Sequence, residues 1–143
     1  MNESEKDKML DAAYATFEIE AESLRATGEV LDRTEFEKAV DVLASAGRIA
    51  ASGCGHSGIA CRHFAHLCCC IERPARFLSP SEAVHGGLGY ICPGDVMMLA
   101  SRGGETDELV PIAKICRAKG ASVILVTEKP DSTLGRLSDI ILR

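Results

Sequence analysis

With 143 residues, 46% apolar and 26% charged, the chain has the makeup of one soluble globular domain with a single sizeable core. A net charge of −5, aromatic residues at 4% and no tryptophan leave neither the basic stripe nor the stacking platforms of a nucleic-acid surface. No apolar stretch approaches the roughly 20 residues of a membrane span, and the charged opening MNESEKDKML has no signal-peptide core, so a cytoplasmic location with no membrane partner is expected.

In chain order, Leu10, Ala13, Tyr14, Phe17, Ala21 and Leu24 recur at spacings of three and four, which predicts a helix over the first ~27 residues, stopped by Thr27-Gly28. A second helix is expected from Asp32, with Glu35 in capping-box position, to Gly47 as the residue after the cap. The pattern then alternates. Strands are expected at 48–53, 75–78, 96–101, 122–127 and 139–142; helices at 57–72, around 80–84, at 106–119 and at 132–137. Such alternation makes an α/β domain, a parallel sheet covered by helices on both faces. The helix at 57–72 is apolar nearly all round, with Arg62, His66 and Arg73 on a narrow polar stripe. A helix of that kind is buried on more than one side, and a domain this small has too little protein to cover it. Homo-oligomerisation through it, or through the first helix, is expected.

The seven cysteines are an odd number with no C-x-x-C pair, and Cys68, Cys69 and Cys70 sit together in that apolar helix. They read as reduced thiols in the role of small hydrophobes rather than as a disulfide framework. His63, His66, Cys69 and Cys70 fall on differing faces of one helix, with no second cluster at ligand spacing, so no metal is expected.

Chemistry concentrates in three loops. Gly53-Cys-Gly-His-Ser-Gly58 follows a strand and opens a helix, where glycines let the backbone approach an anion and free N–H groups point at it. The second strand ends Phe77-Leu78-Ser79-Pro80, without the acidic residue of a dinucleotide site, so a phosphate monoester is the better ligand and no cofactor is expected. Ser57 is read there as both hydroxyl donor and helix cap. Ser101-Arg-Gly-Gly-Glu-Thr106 repeats the logic after the third strand, and no lysine completes a Walker loop. His85 lies among glycines between them, placed as a general acid or base, and Glu108 is read one turn into the following helix, facing an anion held there. Glu105 and Glu108 also suit the first turn of a helix for electrostatic reasons alone.

Together these residues resemble the SIS (sugar isomerase) domain, most nearly the arabinose-5-phosphate isomerases. The resemblance rests on GCGHSG (53–58), PSEAVHGGLGYICPGD (80–95) and SRGGETDEL (101–109), where the family shows GxGKSG, PxEAxHGDLG and SxSGES/TxE. It implies a three-layer αβα sandwich around a five-stranded parallel sheet of flavodoxin-like order. It also implies N-terminal helices (1–47) packed on the domain (48–143) or on a neighbour, and a homodimer or homotetramer in which a neighbouring subunit helps to build the site. By the same resemblance, Gly55, His56, Ser57, Ser101, Gly104 and Thr106 hold the phosphate of a sugar phosphate, and His85 and Glu108 are the catalytic pair. The implied reaction interconverts an aldose and a ketose, ribulose 5-phosphate and arabinose 5-phosphate or a close pair, through an enediol and without cofactor. A phosphosugar-binding or sensing module without turnover is the alternative. His56 stands where the family has lysine and Gly103 where it has a second serine, with Arg102 nearby as a source of charge. The family continues beyond the fifth strand into a further loop and helix with an HPGG-like motif, and often into CBS domains, so either a truncated product or an incomplete site is expected.

Overall fold

The computed structural model describes residues 2–143 and divides into two units, Met1–Leu31 and Asp32–Arg143. The first unit is the helix α1, Glu3–Val30. Asn2 caps it in a reciprocal box: its side chain accepts from the Glu5 N–H at 2.9 Å, and the Glu5 carboxylate accepts from the Asn2 N–H at 2.8 Å. The helix does not stop at Thr27-Gly28 as expected. The Thr27 hydroxyl folds back onto the Ser23 carbonyl at 2.9 Å and stays within the helix, and one glycine costs only about 1 kcal/mol. Helicity ends at Leu31, extended ahead of the next cap.

The second unit begins with α2, Arg33–Ser45, capped by Asp32, whose side chain accepts from the Glu35 N–H. The capping box is only half made, because the Glu35 carboxylate takes Lys38 Nζ at 2.7 Å instead. At the other end, the Arg73 guanidinium donates to the carbonyls of Leu43 and Ala46, closing the helix with a positive charge. Five strands follow: β1 Ile49–Gly53, β2 Ala75–Phe77, β3 Val96–Ala100, β4 Ser122–Val126 and β5 Ile140–Leu142. All pair in parallel in the order β2-β1-β3-β4-β5. The remaining helices are α3 (Gly55–Cys70), α4 (Pro80–Val84), α5 (Val110–Ala118) and α6 (Thr133–Arg136), with a 3-10 turn at Gly87–Tyr90.

Near-continuous apolar strands are what a sheet covered on both faces requires. Side-chain alternation splits the core in two. Ala50, Met97, Leu99, Val123 and Leu125 pack with Ile112, Ala113 and Cys116 of α5, while Ile49, Ala51, Val96, Met98 and Ile124 pack with Cys61, Ala65 and Cys68 of α3. β1 is flanked by β2 on one side and β3 on the other, which makes the carboxyl ends of β1 and β3 the topological switch point, where ligands enter such sheets. The register sets Gly53 beside Ala100, so their corners are neighbours.

Two helix starts differ from expectation. α3 opens at Gly55 with Cys54 as its cap and no capping side chain, so Ser57 lies inside the first turn and is not the cap. α5 opens at Val110 with Pro111 in its first turn, so Glu108 precedes the helix instead of lying one turn into it. Thr106, expected to open the helix, is held in the corner by Ser101, and residues 107–109 form a turn in which the Leu109 N–H donates to the Thr106 carbonyl. α3 buries only its sheet side; Ile59, Leu67 and Ile71 are exposed on the other. No helix among the described residues is long and apolar enough to cross a membrane.

All seven cysteines are free. Burial pushes the Cys61 and Cys116 thiols up to about 11, leaving almost no thiolate near neutrality. A thiol reagent is therefore expected to label Cys69, Cys70 and Cys92 in the native protein, and Cys61 and Cys116 only after denaturation. Equal rates at all seven in the native state would contradict this packing.

Candidate functional site

The β1 corner is a close approach of strand end to helix start. A Cβ on Gly58 would lie 2.5 Å from the Gly53 carbonyl oxygen, and one on Gly53 would lie 2.9 Å from the Ser57 backbone. Glycine at both positions lets α3 begin immediately after β1. Gly55 sits at φ +54°, a left-handed conformation that glycine adopts without strain. The N–H groups of Gly55, His56 and Ser57 belong to the first turn of α3, which has no carbonyls of its own to offer them. They are the groups that favour an anion.

The β3 corner is held by its own hydroxyls. Ser101 is 4% exposed, and its Oγ lies 2.7 Å from Thr106 Oγ1 while accepting from the Gly104 N–H at 3.1 Å. Gly104 has φ +67°, and a Cβ there would collide with the Ser132 side chain. This corner is tied to α6: the Leu134 N–H donates to the Gly104 carbonyl, and the Thr133 N–H donates to the Glu105 carboxylate at 2.8 Å. The bonds from Thr133 hold the Glu105 carboxyl below its ordinary value, with Arg136 adding to them. A lowered carboxyl contributes above the ordinary carboxylate range, and that contribution is lost as pH falls through its folded value.

Three clefts open at these corners. One of about 420 Å³ lies between the β1 and β2 ends and is lined by Gly53, Cys54, Gly55, Arg62, Ser79 and Glu108, among others. A second, of about 300 Å³, is lined by Ser57, Ser101, Arg102, Thr127, Glu128 and Arg143 together with apolar residues. A third, of about 370 Å³, lies at Gly103, Glu105, Lys129 and Ser132. Glu108 thus shares a cleft with Gly55, and its charge adds to the effect of burial in raising the Cys54 thiol. Ser57 shares a cleft with Ser101. Ser101, Gly104 and Thr106 are brought together by hydrogen bonds. His56 is exposed on the first turn of α3. His85 is exposed at the carboxyl end of α4 and lines none of these three clefts.

The Arg102 guanidinium is drawn to Glu128 at 2.9 Å, an exposed pair, and is not turned into the corner as a free charge. Sequence reasoning placed Arg62 only on a polar stripe. In the structure its guanidinium lies over the Phe77 ring at 4.4 Å, and the residue lines the Glu108 cleft. Its position six residues after His56, on the helix that the corner opens, was the available signal.

Known proteins share this architecture. The SIS domain family model matches residues 42–143. The chain is similar to a probable arabinose 5-phosphate isomerase of Haemophilus influenzae, 33% identical over 93% of this chain and 40% of that protein. It therefore spans about two-fifths of the length of that curated relative. Among solved structures, a Listeria monocytogenes chain provisionally described as a sugar-phosphate isomerase superposes with a TM-score of 0.92 at 39% identity, covering 99% of this chain and 73% of that one. An Escherichia coli CFT073 protein solved in complex with arabinose 5-phosphate superposes with a TM-score of 0.80 at 30% identity, covering 100% of this chain and 74% of that one.

Proposed function

The chain belongs to the SIS domain family, and on that premise we propose that it binds a sugar phosphate and interconverts its aldose and ketose forms. The pair is arabinose 5-phosphate and ribulose 5-phosphate, or a close analogue. The observation that carries this reading is the adjacency of two anion-competent corners, Gly53–Gly58 and Ser101–Thr106, at the switch point of the sheet. Gly55, His56 and Ser57 offer N–H groups and a hydroxyl from one side, and Ser101 and Thr106 offer their hydroxyls from the other, on a turn that Gly104 closes. The Ser101–Thr106 hydroxyl pair gives up its internal bond to take a phosphate oxygen, a charge-assisted and stronger partner.

The sugar chain then runs into the cleft that Glu108 lines. Glu108 moves the proton between C1 and C2, and the imidazole of His85 tends the two oxygens as the enediol forms and collapses; neither step needs a cofactor. Because His85 lies outside that cleft, the working site is built in a homodimer or homotetramer, with His85 delivered by a neighbouring copy. Its place outside the Glu108 cleft also favours a second reading, a phosphosugar-binding module without turnover. Incubation with arabinose 5-phosphate separates the two: ribulose 5-phosphate formed at a rate proportional to protein supports the enzyme, and saturable binding without product supports the module. Neither binding nor turnover would end both.

Ser101→Ala is expected to raise the dissociation constant for a sugar phosphate about tenfold, the loss of roughly 1.5 kcal/mol for one hydrogen bond to a charged group. Titration calorimetry measures it, and unchanged affinity would remove Ser101 from the site.

A further inference from the structure

The cleft of about 420 Å³ between the β1 and β2 ends is lined by one carboxylate, Glu108, and one cation, Arg62. The two do not close on each other: among the described residues, no carboxylate lies within ion-pair distance of Arg62. Its guanidinium rests instead over the Phe77 ring at 4.4 Å. Stacking of that kind orients the group through its face and leaves the N–H donors on its edge uncommitted. The backbone explains the placement. Gly55, Gly58, Ile59 and Arg62 follow the spacing of one face of α3, and all four line the cleft. The helix whose first turn offers N–H groups to an anion therefore carries a fixed charge about two turns further on, on the same face.

A base and a cation held apart in one cleft suit a reaction that builds negative charge between them. When Glu108 takes the proton from C2 of the aldose, the electron pair of that C–H bond forms the C1–C2 double bond. The carbonyl pair moves onto O1. The carboxylate has become a neutral acid, and its charge now sits on the enediolate. The proton on O2 passes to O1 by way of His85, and Glu108 returns its own proton to C1 as the ketose forms. A cation already in place where charge develops lowers the barrier, because it interacts more strongly with the enediolate than with the neutral sugar carbonyl. The planar edge of a guanidinium matches two cis oxygens, and it keeps its charge at any working pH. The phosphate has its own partners at the two corners, which leaves Arg62 for the sugar.

We propose that Arg62 is a catalytic residue of this site, donating hydrogen bonds to the two oxygens of the enediolate; the proposal rests on the isomerase reading. Turnover of arabinose 5-phosphate and titration calorimetry on the whole chain test it. The second ligand is the hydroxamate of erythronic acid 4-phosphate, whose ionised head imitates a five-carbon enediolate. Arg62→Gln is expected to lower kcat by about 10²- to 10³-fold, the range for losing one donor to a developing oxyanion. Affinity for the hydroxamate is expected to fall by about the same factor, while that for arabinose 5-phosphate and inorganic phosphate changes less than about threefold. Arg62→Lys keeps the charge without the fork and is expected to fall between parent and Arg62→Gln. Arg76→Gln is the control: Arg76 is also exposed and set over a ring, Tyr90 at 5.2 Å, but lines none of the three clefts. Its kcat is expected to stay within about twofold of the parent. Full turnover by Arg62→Gln overturns the proposal. So does an equal loss of affinity for arabinose 5-phosphate, inorganic phosphate and the hydroxamate, which would put Arg62 on the phosphate. A parent chain without turnover is a different failure: it ends the isomerase reading, and the enediolate role with it.

Discussion

Replacing His85 by alanine or Glu108 by glutamine is expected to lower kcat by about 10²- to 10⁴-fold, the range for losing one general acid or base. The affinity for a sugar phosphate should change by less than about threefold, because neither residue is placed on the phosphate. The two variants also test how the site is assembled. Glu108 lines the cleft between the β1 and β2 ends and His85 does not, so if His85 comes from a neighbouring copy, a mixed assembly of His85→Ala and Glu108→Gln chains holds an intact pair that neither parent holds. Mixing the two inactive proteins under conditions that exchange subunits is expected to recover part of the turnover. Recovery that never exceeds the sum of the separate rates would place both residues in the same copy.

The second large effect is on stability. Gly58→Ala is expected to cost about 3 kcal/mol, as the new methyl group would have to share space with the Gly53 carbonyl, 2.5 Å away at oxygen and 3.1 Å at carbon. Both neighbours are backbone, so no flexible side chain can give way; the end of β1 must part from the start of α3. Melting is expected to fall by roughly 10 °C. Gly103→Ala supplies the control: a Cβ there meets nothing within 4 Å, and its melting point should stay within about 2 °C of the parent. A Gly58→Ala protein as stable as Gly103→Ala would mean that the corner is looser than described.

Most of the body was legible because parallel sheets read plainly. Each strand is a short apolar run closed by turn residues, and the five runs fall within a residue of where the pattern put them. Helix starts were less legible, for a physical reason. Leu109 fits the apolar spacing of Ile112, Ala113 and Cys116, so periodicity extended α5 back across residues that a hydroxyl-bonded corner holds out of the helix. Ser57 was read as a cap because serine favours that position, yet the close packing of Gly53 on Gly58 sets the helix start at Gly55. In the candidate site, the adjacency of the two glycine corners followed from the strand order. That His85 does not line the Glu108 cleft did not, because it depends on how α4 and the 3-10 turn at Gly87–Tyr90 lie against the body. The approach of Arg62 to Phe77 was equally hidden: a stripe of polar residues on a helix does not say which of them stacks on an aromatic ring at a strand end.

The central claim is that the β1 and β3 corners grip one phosphate together, and a double-mutant cycle in binding addresses it most directly. Titration calorimetry with arabinose 5-phosphate on the parent, Ser57→Ala, Ser101→Ala and the combined variant gives the four affinities required. Two hydroxyls on the same phosphate are expected to couple by at least about 0.5 kcal/mol, so that the combined loss differs from the sum of the single losses. Losses that simply add, or affinities that neither substitution changes, would contradict the shared grip.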